Sequence, residues 1–536
     1  MNLKPISNFH IILLNKKNIA LTFFIIYSIY NSLIIGTSWD EPFHLEQGRA
    51  VFNYLFSFGE LNNYVHYREF YSASYWTIAY FITQFFPSDF SIQIFHLINL
   101  LIGWLTLFGF YKLGKTLFNK KIATLFFIIL FFHPIFFGHM SMNGKDAVLT
   151  LSHVWIFYFF IEYLKKQNKK LDTRKIIFKV AILLALASGI QLYFIATLIP
   201  VFIFGLIDIF FLKKIINLNF DYKKLIKDIF FIILIFYITM IVFWIDAHNN
   251  ILKSPLDLFL NSFDTDRGWK TNMLNGNIYL SIATPLNYVL SLTIHKSPEY
   301  LLFLYIFFIL FYFKIKKFFY PSIKFLNYKL ILILSILFFP TIILMLVPFN
   351  IYDGLRLFLW YIPYTTIIPA LALFYFFENY KILINKIVLL FTLVAFIFYI
   401  VIFFGYTPFQ YTYLNILSGK SSEKNTQFVN DYWGVSFNEL IEKINKSKFS
   451  NNKKISVYLC GFNNRIAKKY IKSKAAYINF ESKINSDYII LNNRTFLTEE
   501  KNKIELKNCY SYLGKKIISV TRMGHELSVF GTLKRK

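Results

Sequence analysis

With 536 residues, 56% of them hydrophobic and 21% aromatic, and a mean hydropathy of +0.48, the chain carries more long apolar runs than a soluble protein of its size. Its 57 Lys+Arg stand against 29 Asp+Glu, a formal charge of +28. The cations are spread over short loops between apolar runs, the pattern of a polytopic helical membrane protein, so no nucleic-acid partner is expected.

Lys16 and Lys17 precede the first apolar run, Ile19–Gly36, and hold the N-terminus in the cytoplasm. That run is long for a cleavable leader and lacks a small-residue cleavage site, so it reads as a retained helix. The first outside loop runs from Thr37 to about Ser74 and opens on Ser38-Trp39-Asp40-Glu41-Pro42-Phe43-His44. Pro42 suits the first turn of a helix capped by Asp40 or Glu41. His44, four residues after Asp40, shares its side of that helix. Ionisable groups so close to a bilayer are costly and are usually kept for a task. The alternative is that both acids only satisfy free N–H groups at a helix start. The loop also holds Arg49, His66, Arg68 and Glu69, and its amphipathic character predicts short helices lying on the membrane.

The stretch Tyr75–Phe86 is too short to span and reads as interfacial or re-entrant. Span two is about Phe90–Leu113. Span three, Ile122–Gly138, delivers His139 to Asp146 to the outer face, with Lys145 and Asp146 at the head of span four, Ala147–Leu164. Ile176–Leu212 splits at Ser188-Gly189-Ile190-Gln191 into two spans. Span seven, Ile229–Ile245, leads to a second large outside loop, Asp246 to about Pro298. Span eight is Glu299–Phe313 and span nine Leu330–Val347. A short outside loop, Tyr352-Asp353-Gly354-Leu355-Arg356, precedes spans ten, Leu357–Phe377, and eleven, Ile387–Phe404. The inside segments hold 25 Lys+Arg and the outside loops before Gly405 hold 8, which favours an inside N-terminus and an outside C-terminus.

From Gly405 the long apolar runs cease. Asp431–Ile444 and Arg465–Lys472 have helical periodicity, Lys454–Cys460 and Asp487–Leu491 read as strands, and Gly514–Leu533 as two or three more. The fold class is therefore an all-α polytopic membrane protein of about eleven helices, residues 1–404, followed by a small extracytoplasmic α/β domain, residues 405–536. This tail carries 23 Lys+Arg and 10 Asp+Glu. It is either a surface for anionic headgroups or acidic glycans, or a well-solvated basic face. Cys460 and Cys509 either form a disulfide in an oxidising compartment or remain two buried thiols.

With the loops placed, the chain resembles the C-type integral-membrane glycosyltransferases. The nearest group is that of protein O-mannosyltransferases and lipid A aminoarabinose transferases, glycosyltransferase family 39 and its bacterial relatives. Trp39-Asp40-Glu41-Pro42-Phe43-His44 is similar to the acidic pair of that family's first outside loop. His133-Pro134 through Asn143-Gly144-Lys145-Asp146 resembles its second, where a carboxylate recurs at the head of span four. Gly276-Asn277 through Ala283-Thr284-Pro285, Tyr352 through Arg356, Gln410 through Asn415, and Asp431-Tyr432-Trp433-Gly434 are similar to later segments of bacterial members. Where many relatives have a His/Pro-Pro sequence, this chain reads His66-Tyr67-Arg68-Glu69-Phe70.

The resemblance implies transfer of a sugar from a polyprenyl-phosphate donor to a lipid, glycan or protein acceptor at the periplasmic face of a bacterial inner membrane. It implies Asp40 as the base for the acceptor hydroxyl, with inversion at the anomeric carbon. Partial burial should raise its pKa. Glu41 is expected to orient Asp40 or the acceptor, or to cap the helix, and His44 to hydrogen-bond Asp40 or merely to pack. Arg68, Lys145 and Arg356 are the candidates for the leaving phosphate. Arg356 could equally pair with Asp353, and Asp146 either positions a substrate or caps span four. No cofactor is expected. Mg²⁺ or Mn²⁺ on Asp40, Glu41, His44 and Asp146 is the competing idea, but the close relatives do not need a metal. A transporter or flippase of a polyprenyl-linked lipid is the runner-up, and it would place broken or charged helices at mid-membrane in a two-fold repeat. A lipid-binding member that signals through its tail is a third reading.

Overall fold

A computed structural model describes residues 8–59, 72–167, 170–215, 220–261, 268–347, 349–447, 449, 454–500 and 503–534. The chain is a multi-pass membrane protein. Among the described residues six helices are long and apolar enough to cross a bilayer: Ser88–Leu117, Asp146–Lys166, Tyr222–Val242, Leu326–Leu346, Arg356–Glu378 and Leu383–Gly405. Asn18–Ile34, Ile199–Leu212 and Glu299–Leu310 are shorter apolar helices.

The elements around Asp40 come first. Helix α1 (Asn8–Ile34) ends before Asp40, α2 (Glu41–Phe56) follows, and α3 (Ser74–Thr83) packs against α2. Helix α3 is the apolar stretch expected to be interfacial. Helix α4 (Ser91–Leu117) carries Gly103, Gly109 and Gly114, where a Cβ would lie 2.5 to 2.8 Å from Met140, Trp155 or Phe126. Small residues there admit the neighbouring helices closely, as is usual in a bilayer. The expected third span is broken. Helix α5 (Lys120–Phe131) stops before Pro134, whose ring and missing N–H cannot continue it, and α6 (Pro134–His139) restarts at an angle. Helix α7 (Asp146–Lys166) is buried inside the bundle, and α8 (Lys170–Ile190) ends at the Ser188–Gln191 break.

The C-terminal region forms a five-stranded sheet of order β4-β3-β5-β9-β8 with two separate hairpins. Strands β1 (Thr271–Leu274) and β2 (Asn277–Leu280) come from the loop between residues 246 and 298. They turn through Asn275-Gly276, both at positive φ, the residues a tight two-residue hairpin turn prefers. Strand β3 (Ile455–Cys460) runs parallel to β4 (Ile478–Phe480) and β5 (Tyr488–Asn492), with helix Asn464–Lys474 as the crossover. Hairpin β6 (Thr495–Glu500) and β7 (Lys503–Asn508) was not legible beforehand. Strands β8 (Leu513–Arg522) and β9 (His525–Leu533) complete the sheet. Cys460 and Cys509 form a disulfide that ties the end of β3 to the residue after β7.

The tail is seated on the membrane region through close backbone contacts. A Cβ on Gly36 would lie 2.3 Å from the Val435 carbonyl, and one on Gly138 would lie 2.3 Å from the Tyr411 nitrogen. Asp431 accepts from the Val435 and Ser436 amides, each at 3.1 Å, and from the hydroxyls of Tyr411 and Ser436. One apolar cluster joins Ile35 and Met142 of the membrane region to Tyr411, Leu440, Val457 and Phe530 of the tail.

Candidate active site

Helix α2 begins at Glu41 with Pro42 in its first turn and Asp40 at its N-cap position, as the sequence predicted. The Asp40 side chain makes no capping hydrogen bond. It is spent instead on Arg356, whose Nη1 donates to Asp40 Oδ2 at 2.8 Å. The bland alternative, an acid that only caps a helix, does not describe Asp40.

Arg356 opens the turn Arg356–Tyr361 ahead of a buried spanning helix and is 7% exposed in its side chain. Its second nitrogen, Nη2, lies 3.2 Å from Asp353 Oδ2, the pairing the sequence allowed, so one guanidinium joins Asp353 to Asp40, a partner the sequence did not suggest. Asp353 sits at φ 59, just before Gly354 at φ 68, and this left-handed turn lets residue 353 face back toward 356. The other oxygen of Asp353 pairs with Arg494 Nη2 at 3.0 Å.

Asp40 is deeply set, but 37% of its side-chain surface remains open. Its charged neighbour Lys145 and the ring of Tyr352 are likewise only half-buried. Among the described residues these three side chains thus keep part of their surface exposed. Burial pushes the Asp40 carboxyl up, but the Arg356 guanidinium, helped by Lys145, outweighs it and holds the carboxyl below its ordinary 3.8. The expectation that burial would raise this pKa is corrected by Arg356. Lys145 shows the same balance with the opposite charge. Burial pulls it down, while Tyr352, Asp146 and Asp40 keep its amine above 10.5 and protonated.

Asp146 starts α7 and reaches the same cluster. Asn143 Nδ2 donates to its Oδ2 at 2.9 Å, and Asn143 Oδ1 accepts from its backbone amide at 2.8 Å. Its Oδ1 is buried with no partner among the described residues. Asn143 also contacts His139, which shares a hydrogen bond of 2.8 Å with the Tyr432 hydroxyl.

Glu41 goes elsewhere. It is fully buried, accepts the Ser38 amide at 2.7 Å through Oε2, and lies 2.7 Å from His96 of α4 through Oε1. Neighbouring helix positions point about 100° apart, and here Asp40 turns to Arg356 while Glu41 turns to His96. His44 is hydrogen-bonded through its backbone to the Asp40 carbonyl at 2.9 Å, and its ring stacks on Trp76 at 4.4 Å. Burial pushes the ring down to about 3, so it is neutral at pH 7. Arg68 lies outside the described residues. No group of three or more His, Cys, Asp and Glu able to hold a metal occurs among the described residues.

An apolar groove of about 1300 Å³ has Leu290, Tyr305, Ile309 and Phe338 among its walls, and none of Asp40, Lys145, Asp146 or Arg356 lines it. It shares Tyr361 with the turn that carries Arg356.

No family model matches the chain, and no curated protein does. Among solved structures it is similar to ArnT from Cupriavidus metallidurans bound to undecaprenyl phosphate, at 10% identity and a TM-score of 0.46, over 95% of this chain and 97% of that one. It is also similar to the archaeal oligosaccharyltransferase AglB from Archaeoglobus fulgidus, in complex with an inhibitory peptide and a dolichol-phosphate. There the identity is 11% and the TM-score 0.47, over 93% of this chain and 75% of that one.

Proposed function

We propose that this chain is a membrane glycosyltransferase that moves a sugar from a polyprenyl-phosphate carrier to an acceptor hydroxyl. The observation that carries the reading is Asp40, a carboxylate that is set among charged side chains, partly exposed, and shared with an arginine. An alcohol becomes a competent nucleophile only as a base removes its proton, and a positioned carboxylate does this. As the bond to the anomeric carbon forms on one face, the bond to the phosphate oxygen breaks on the other, and the configuration inverts. The departing phosphate needs fixed cations, and Arg356 and Lys145 stand beside Asp40 to meet it.

Arg356 links the two tasks. While it pairs with Asp40, the carboxylate is a weak base. A phosphate that draws the guanidinium to itself frees Asp40 and raises its basicity when the acceptor is present. Asp146 Oδ1, buried and unsatisfied, is assigned to a hydroxyl of the sugar or acceptor. Glu41 is assigned to holding the Asp40 loop on α4 through His96. The groove beside Tyr361 suits an isoprenoid chain. In this reading the chain makes eleven crossings with its N-terminus in the cytoplasm, and residues 405–536 form a domain on the periplasmic side of a bacterial inner membrane.

The test is to offer the full-length protein in lipid nanodiscs a panel of polyprenyl-phosphate sugars and measure released polyprenyl phosphate. Release that needs Asp40 supports the reading. Movement of intact donor between leaflets, without release, would support a flippase instead.

A further inference from the structure

We propose that Arg494, delivered by the C-terminal sheet, is a positioning residue of the Asp40 site: by occupying one oxygen of Asp353 it keeps Arg356 shared with Asp40. This rests on the reading of Asp40 as the functional carboxylate. Arg494 leaves the turn between β5 and β6 and is 3% exposed. Its Nη2 takes Asp353 Oδ1, Arg356 Nη2 takes Asp353 Oδ2, and Arg356 Nη1 is left for Asp40. The Arg494 guanidinium lies against both Trp39 and Trp269, which meet edge to face, at 4.3 and 4.0 Å from their centroids, and Nη1 donates to the Tyr432 carbonyl. One side chain of the tail thus grips the residue before Asp40, the partner of Arg356 and the segment that holds His139.

The tail is built to aim this side chain. A Cβ on Gly461 would meet Asn492 Oδ1 at 1.9 Å and the Arg494 Cβ at 3.2 Å. The Arg494 amide donates to Asn492 Oδ1 at 3.1 Å, and Asn492 Nδ2 donates to the Asp431 carbonyl at 2.8 Å. The Arg494 carbonyl accepts from the amide of Cys509, one partner of the disulfide, at 3.0 Å.

The ionisable groups that act on Asp40 are Arg356, Lys145, His44, Asp146, Tyr352 and Arg494, and His44 is neutral at pH 7. Among the described residues three carboxylates, at 40, 146 and 353, face three cations, at 145, 356 and 494. Removing the charge of Arg494 leaves one negative charge in excess and gives both Asp353 oxygens to Arg356. Asp40 then loses counter-charge and protonates at a higher pH. Neutralising Asp353 does the reverse, because Arg356 is then left to Asp40 alone. An arginine that merely cements the tail would produce neither change.

The experiment uses full-length protein in nanodiscs and reads the pH midpoint of Asp40 by carbodiimide labelling and peptide mass spectrometry, a readout that needs no turnover. Arg494→Gln should raise the midpoint by about half to one pH unit. Arg494→Lys, which keeps the charge, should bring it back toward wild type. Asp353→Asn should lower it, and keeps the test alive if Arg494→Gln does not fold. Arg522→Lys, at a contact within the tail with Glu439 and the Thr407 carbonyl, should leave it unchanged. An unmoved midpoint in folded Arg494→Gln or Asp353→Asn, or an equal shift in Arg522→Lys, overturns the proposal. Shifts of the expected signs in a protein that transfers no sugar would uphold the positioning role and reject the assignment of Asp40 as base.

Discussion

Replacing Arg356 by Gln removes the charge that the account gives two tasks. The Arg356 nitrogen and Asp40 oxygen are 2.8 Å apart, which puts the charge centres about 4 Å apart, and at an effective dielectric of about 20 such a pair is worth roughly 4 kcal/mol. Asp40 is 37% exposed, so solvent screens much of this, leaving about 1 to 2 kcal/mol, or about one pH unit. The sign follows from the direction of the shift. A carboxyl held below 3.8 is ionised throughout the neutral range, and its function is lost only as pH falls through that depressed value. Without Arg356, burial dominates, the carboxyl protonates earlier, and the acid limb of kcat/KM moves up by about one pH unit. At neutral pH kcat should also fall by about 10²-fold or more, as expected when one preorganised donor to a developing anion is lost. The assay is release of polyprenyl phosphate from a labelled donor, followed from about pH 4 to 9. A variant with the wild-type acid limb and wild-type kcat would refute both tasks.

Glu41→Ala breaks a fully buried carboxylate pairing with His96 and should cost about 3 to 5 kcal/mol of stability, read by thermal unfolding in detergent, while the acid limb of the folded fraction stays where it was. Gly36→Ala puts a methyl group 2.3 Å from the Val435 carbonyl and should destabilise by about 1 to 3 kcal/mol, with protease sensitivity appearing first in the tail. The paired change Cys460→Ser and Cys509→Ser opens a 49-residue loop in the unfolded chain and should cost about 2 to 4 kcal/mol, measured by the unfolding midpoint with and without reductant.

The sequence revealed what depends on local pattern. Apolar runs placed most of the helices, Pro42 placed the start of α2, and Asp431–Ile444, Lys454–Cys460 and Arg465–Lys472 marked real elements of the tail. What it hid depends on tertiary placement. Asp40 and Glu41 look like a pair in the sequence, yet one turns to Arg356 and the other to His96, because adjacent helix positions point about 100° apart. The break at His133-Pro134 was present as a proline inside an apolar run, and its helix-stopping effect gave the available clue. Arg494 carries no local signal. It lies at the end of a strand, 141 positions after Asp353, and only the fold of the tail brings it to Trp39. Tyr432 and Asp353 lay within segments already singled out by the resemblance, but nothing in the chain said that they would meet His139 and Arg356.

The most direct measurement is sugar transfer by Asp40→Asn in lipid, alongside donor binding by the same preparation. The account predicts bound donor, an intact fold and release of polyprenyl phosphate reduced by about 10²-fold or more. Wild-type release by that variant would contradict it.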